Sequence, residues 1–167
     1  MTTASTATAP TPAPPTPPVA REAHAPLKGA ALVAGSSRHS PARLRDYGAD
    51  LALNTSEPGW VESLTKATGG KGVDLVVDQV SGALFNQTQQ ATAIGGRIVN
   101  VGRLGGMTAE FDFNLHALRR IEYIGVTFRT RSPAAVREVA RRVREDLWPS
   151  LAQLSLPIDR VFPLAEA

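Results

Sequence analysis

Gly72-Val73-Asp74-Leu75-Val76-Val77-Asp78 is the stretch that decides the fold. Its apolar residues sit side by side instead of alternating, which describes a short strand covered on both faces. Such a strand needs helices on either side of its sheet, so its flanks should repeat strand and helix. Working upstream, Thr55 or Ser56 is placed to cap a helix through Trp60, Val61 and Leu64 that ends at Gly69-Gly70. Residues 50–54 before it read as a second short strand. Ser40-Pro41 supplies an N-cap with proline in the first helical position, for a helix running through Arg43, Leu44 and Tyr47 and stopping at Gly48. Residues 29–35, an apolar run bounded by glycines, read as another buried strand.

The same alternation continues downstream. A helix is expected over about 83–93, broken at Gly95-Gly96, then a strand over 97–102 that ends in a turn at Gly105-Gly106. Residues 121–128 read as a strand. Residues 133–147 read as a helix with Val136, Val139, Ala140, Val143 and Leu147 on one side, limited by Pro149. Residues 158–162 suggest a short last strand. Parallel strands joined by right-handed helical crossovers make a doubly wound α/β domain, whose ligands bind beyond the carboxyl ends of the strands.

Composition bounds what this domain does. A chain of 167 residues is enough for one domain. Residues 1–20 are almost wholly Thr, Ala and Pro and carry no charge, so they are expected to form a disordered tail ahead of a domain spanning 21–167. This tail lacks the basic start and apolar run of a secretory signal, and no stretch reaches membrane-spanning length. A cytoplasmic protein without a membrane partner is the expectation. With 0 Cys, disulfides, thiolate zinc sites and a cysteine nucleophile are excluded, and His24, His39 and His116 show no metal-ligand spacing. The net charge is +3, and Arg137, Arg141, Arg142 and Arg144 are interleaved with Glu138, Glu145 and Asp146. Mixed signs describe a solvated helix face rather than a nucleic-acid surface.

Five segments, in order and spacing, resemble the medium-chain dehydrogenase/reductase family, nearest its zinc-type alcohol dehydrogenases and quinone oxidoreductase relatives. They are Gly35-Ser36-Ser37-Arg38, Tyr47-Gly48-Ala49-Asp50, Gly70-Lys71-Gly72-Val73-Asp74, Asp78-Gln79-Val80-Ser81-Gly82 and Gly95-Gly96-Arg97-Ile98-Val99-Asn100-Val101-Gly102. The resemblance runs from about Val19 to the C-terminus and implies a Rossmann-type, mostly parallel sheet that binds a nicotinamide dinucleotide. It places 29–36 at the second strand of the family's sheet, which in NAD-preferring members ends in an acidic residue. Here that position is Gly35. A carboxylate there would repel a 2′-phosphate, whereas Gly leaves room, Ser36 and Ser37 offer hydroxyls and Arg38 offers a charged fork. The implied cofactor is therefore NADP. The same residues also read as a polar loop capping the next helix. By the same alignment Gln79 and Val80, then Asn100, Val101 and Gly102, then Val126, Thr127 and Phe128 correspond to the nicotinamide side of the family's cleft.

Two parts of the family pattern are missing from the sequence. No G-x-G-x-x-G string precedes Gly29, so the turn that seats the pyrophosphate on a helix N-terminus is not encoded. Val19-Ala20-Arg21-Glu22-Ala23 resembles the end of the first helix, but the Thr/Ala/Pro stretch stands where the central first strand should be. Loss of that strand implies either closure of the remaining ones or exposed inner edges, which invite pairing with a second copy or a relative. The family's catalytic domain, with its substrate pocket and zinc ligands, is not represented either, so the chain reads as truncated and no catalytic residue is nominated. Asp74, Asp78 and His116 fit strand-end and loop roles. Two functions follow. One is the cofactor-binding part of an NADP-dependent oxidoreductase, transferring hydride between NADPH and a carbonyl, quinone or enone. The other is a non-catalytic binding or oligomerisation module derived from that family.

Overall fold

The computed structural model describes residues 31–153, 158 and 160–166. The proposed tail, the helix end at 19–23 and residues 29–30 of the first strand lie outside the described residues. Two compact units make up the chain, divided between Pro58 and Gly59.

In the first unit β1 (Val33–Ser36) pairs in parallel with β2 (Leu51–Asn54), and α1 (Pro41–Asp46) makes the crossover. The helix starts where its sequence says it should. The Ser40 side chain accepts from the Arg43 amide, Pro41 takes the first turn, and Gly48 leaves the helix at φ 100°. Leu44 on the inner face of α1 packs on Ala49, Ala52 and Ala34.

In the second unit α2 (Trp60–Ala67), β3 (Val73–Asp78), α3 (Phe85–Ala91), β4 (Thr92–Asn100), α4 (Phe113–Arg119), β5 (Glu122–Gly125) and α5 (Pro133–Arg142) follow in order. Strands β3, β4 and β5 form a parallel sheet in that order, with Val76 opposite Ile98 and Ile98 opposite Tyr123. These three residues share one face by the two-residue period of a strand. Phe85 from α3, with Ile121 and Phe111, closes over it, and Ile98 is 0% exposed. Burying Ile98 and Phe85 stabilises this unit by roughly 1.5–3 kcal/mol each. The Phe85 ring stacks on Phe111 at 5.5 Å and meets Tyr123 edge-on at 4.8 Å.

The α/β class with parallel strands stands, but several boundaries move. Neither Thr55 nor Ser56 caps α2. Asn54 instead accepts from the Ser56 amide and donates to Glu57, which holds 54–57 in a turn, and the helix opens at Gly59 in a left-handed conformation. Strand β4 begins at Thr92, so Gly95-Gly96 lies inside it; Gly95 at φ 75° belongs to a register shift against β3. The strand ends at Asn100, leaving Val101 and Gly102 in the following loop, and β5 covers four residues where eight are expected. Helix α4, capped by Asp112, is absent from the sequence reading. Helix α5 loosens into a wider turn at Val143–Leu147 and a tight one at Trp148–Gln153 that runs through Pro149. The described residues of 158–162 form no strand.

The largest correction concerns burial. Val73–Asp78 is apolar in sequence, yet Leu75 is 58% and Val77 60% exposed, because among the described residues no helix covers that face. Among the described residues β1 pairs with β2 in the first unit, and β3 pairs with β4 in the second. Of the apolar stripe expected over 133–147, Val136 and Val143 are exposed and Val139 is half-buried.

Candidate functional site

At the carboxyl end of β1 the chain turns tightly on Ser36. Its hydroxyl oxygen accepts from the backbone amides of Arg38 and His39, each at 3.1 Å. That contact aligns Ser37 and Arg38 on the solvent side, where both are exposed. Among the described residues no carboxylate pairs with Arg38. Gly35 has a second reason to lack a side chain: a Cβ there would lie 2.8 Å from Cγ2 of Thr55. Its smallness is thus required by packing as well as leaving space beyond the strand.

In the second unit the ends of β3 and β4 are held together by a buried polar knot. Asp78 Oδ1 accepts from the amides of Val80 (2.8 Å) and Ser81 (2.9 Å), and its Oδ2 lies 3.0 Å from the Ser81 hydroxyl. Asn100 Nδ2 donates to the Ser81 hydroxyl oxygen and to Gly102 O. The Asp78 carbonyl accepts from both Val101 (2.8 Å) and Gly102 (3.0 Å). Asp78 and Asn100 are therefore turned inward, and their polar atoms are spent on shaping the loops. A Cβ on Gly102 would lie 2.4 Å from Gln79 O, so two loop backbones touch there. Tyr123 stands beside this knot. Partial burial, reinforced by the Asp78 carboxylate, pushes its phenol above the usual tyrosine value, while Arg103 opposes the shift.

Beyond the knot the strand ends open into a cleft of about 660 Å³. It is lined by Val101, Val126, Thr127 and Phe128, together with Met107 and the guanidinium-bearing Arg103, Arg129 and Arg131. Four of the sequence-nominated residues meet here. Asn100 instead lines a smaller neighbouring cavity of about 170 Å³ with Ser81, Phe85, Glu110 and Tyr123. Gln79 is exposed and Val80 half-buried, and neither borders the larger cleft. Ser36, Ser37 and Arg38 belong to the other unit. The sequence reading missed Met107 and the three arginines. The alternation Phe128-Arg129-Thr130-Arg131 directly after a strand was the available signal.

The chain has 0 Cys, and among the described residues no group of three or more His, Asp or Glu could hold a metal ion.

Residues 23–145 match the model of a protein family described as zinc-binding dehydrogenase. The chain is 31% identical over 100 residues to quinone oxidoreductase-like protein 2 of Bos taurus, covering 60% of this chain and 29% of the bovine protein. It is 29% identical over 127 residues to a mycocerosic acid synthase-like polyketide synthase of Mycobacterium tuberculosis, covering 74% of this chain and 6% of the synthase. Among solved structures, AibC superposes with a TM-score of 0.63 at 28% identity, over 84% of this chain and 40% of AibC. An NAD-dependent alcohol dehydrogenase superposes with a TM-score of 0.51 at 31% identity, over 70% of this chain and 34% of that protein. The chain thus spans less than half the length of each of these relatives.

Proposed function

The chain belongs to the zinc-binding dehydrogenase family, and from that membership we propose that it forms the NADP-binding part of an oxidoreductase of the medium-chain type. The observation that carries the cofactor choice is the end of β1. There Gly35 stands where a carboxylate would select NAD, and Arg38 presents an exposed guanidinium free of any described acid. A 2′-phosphate set there would accept from Ser37 and from the Arg38 fork, a charge-assisted contact that NAD cannot make. Ser36, already accepting from two amides, keeps its hydroxyl proton to donate.

Gln79, Val80, Asn100, Val101, Gly102, Val126, Thr127 and Phe128 would form the nicotinamide side. Val101, Val126, Thr127 and Phe128 do so by lining the larger cleft, and Asn100 and Gly102 by holding the loop that carries Val101. The cofactor supplies hydride exchange with a carbonyl, quinone or enone. The chain's own residues bind and orient it, and the cleft walls exclude water from one of its faces.

Calorimetric titration of the whole chain with NADP and with NAD tests the reading. Weak binding with NADP ahead of NAD is expected, since no Gly-rich pyrophosphate turn is present in the sequence. Arg38→Asp should abolish the preference. Equal or tighter binding of NAD would sink the specificity argument.

A second reading, a non-catalytic module that pairs through its sheets, draws on the sides of β1 and β3 that have no strand partner among the described residues and on the exposed Leu75 and Val77. Concentration-dependent mass by light scattering, without dinucleotide binding, would favour it.

A further inference from the structure

We propose that the cleft at the carboxyl ends of β4 and β5 selects an organic anion, a small apolar molecule carrying a carboxylate or phosphate. This deepens the reading of that cleft as the reaction side of a hydride-transfer site, and it names the class of substrate. The walls divide by chemistry. Val101, Val126 and Phe128 offer apolar surface, while Arg103, Arg129 and Arg131 surround it, and among the described residues none lining the cleft is acidic. A cleft of about 660 Å³ falls in the range that takes small molecules.

These arginines are not spent on acids among the described residues. Elsewhere in this unit Arg97 pairs with Glu122, Arg141 with Glu138 and Glu145, and Arg142 with Glu138. Among the described residues no carboxylate pairs with Arg103, Arg129 or Arg131. Glu110 borders the smaller cavity that shares Arg103, but it makes no ion pair with it. Arg131 is also pre-aimed. Its Nε donates to Thr127 O at 3.0 Å, and its guanidinium carbon stands 5.9 Å from the centre of the Phe128 ring. That contact uses one edge of the guanidinium and leaves its two terminal nitrogens to donate. Three like charges around an apolar floor repel one another, and an oxyanion placed among them removes that repulsion while gaining charge-assisted hydrogen bonds.

The test compares three probes on the full chain: hexanoate, hexyl phosphate and hexanol, titrated by calorimetry with and without saturating NADPH. Both anions should bind about tenfold or more tighter than the neutral alcohol, the margin of one hydrogen bond to a charged group. Arg129→Gln and Arg131→Gln should each weaken anion binding several-fold and leave hexanol unchanged, and Arg131→Lys should restore part of it. Far-UV circular dichroism checks that each variant folds. Hexanol binding as tightly as hexanoate, or a double Gln variant that keeps the preference, would overturn the inference. Competition between NADPH and the anions would overturn it as well, because the arginines would then serve the dinucleotide's own phosphates. Anions that bind while NADPH fails to bind would uphold anion selection and remove only the proposed cofactor function.

Discussion

Gly102 packs its bare α-carbon against Gln79, where a methyl group would come within 2.4 Å of a backbone oxygen. Neither loop is free to yield, because Gly102 N and Val101 N both donate to Asp78 O and Leu104 N donates to Gln79 O. Gly102→Ala should therefore destabilise the second unit by about 1–3 kcal/mol, the usual cost of overpacking, read as a lower urea midpoint. An unchanged midpoint would mean that the loops separate at no cost. A glycine at the end of the strand expected over 97–102 was legible in the sequence. What it approaches was not, since the partner lies 23 positions upstream, at Gln79, and is brought there only by the parallel pairing of β3 with β4. Asp78 and Asn100 teach the same lesson. They are polar residues at strand ends, which fits either a ligand site or a loop clasp, and hydrogen bonding turns them inward.

Helix α5 shows how an element can be right in its pattern and different in its surroundings. Its Pro133 start and apolar stripe were legible, as was the mixed-sign outer face, whereas the Ser132 cap comes from the structure. Glu138 accepts from Arg141 and Arg142, and these hydrogen bonds hold its carboxyl at about 2, below the ordinary 4.5. A carboxylate depressed on folding contributes stability that is complete above 4.5 and is lost as pH falls toward 2. Far-UV circular dichroism should thus show α5 losing helicity across that acid window. Glu138→Gln should lower the neutral-pH signal and flatten the acid limb, and a limb of unchanged steepness would show that these pairs add nothing. The pairs are solvent-exposed, so salt should shrink the effect.

At the scale of the whole molecule the apolar composition of β3 and the uncovered face it presents are in conflict. Leu75 and Val77 lie exposed beside an edge with no strand partner among the described residues, which is the arrangement that natural sheets guard against. If the protein pairs through this surface, its mass by light scattering should rise with concentration, and Val77→Lys should return it to the monomer. A wild-type chain that stays monomeric at high concentration would remove the association reading and leave the cofactor reading standing.

The sequence by itself determined what depends on neighbours along the chain. The Ser40-Pro41 start of α1, the Gly48 and Gly69-Gly70 stops, the alternation of strand and helix up to β4 and the family are all local or ordered signals. Only the tertiary structure decided what depends on partners. It paired β1 with β2 and β3 with β4, left one face of β3 uncovered among the described residues, turned Asp78 and Asn100 into a clasp, and gathered Arg103, Arg129 and Arg131 around Phe128. The physical reason is common to all four. A residue's type states what it needs, whether burial, a hydrogen bond or a counter-charge, and the pairing of distant segments decides whether the protein meets that need or leaves it for a ligand.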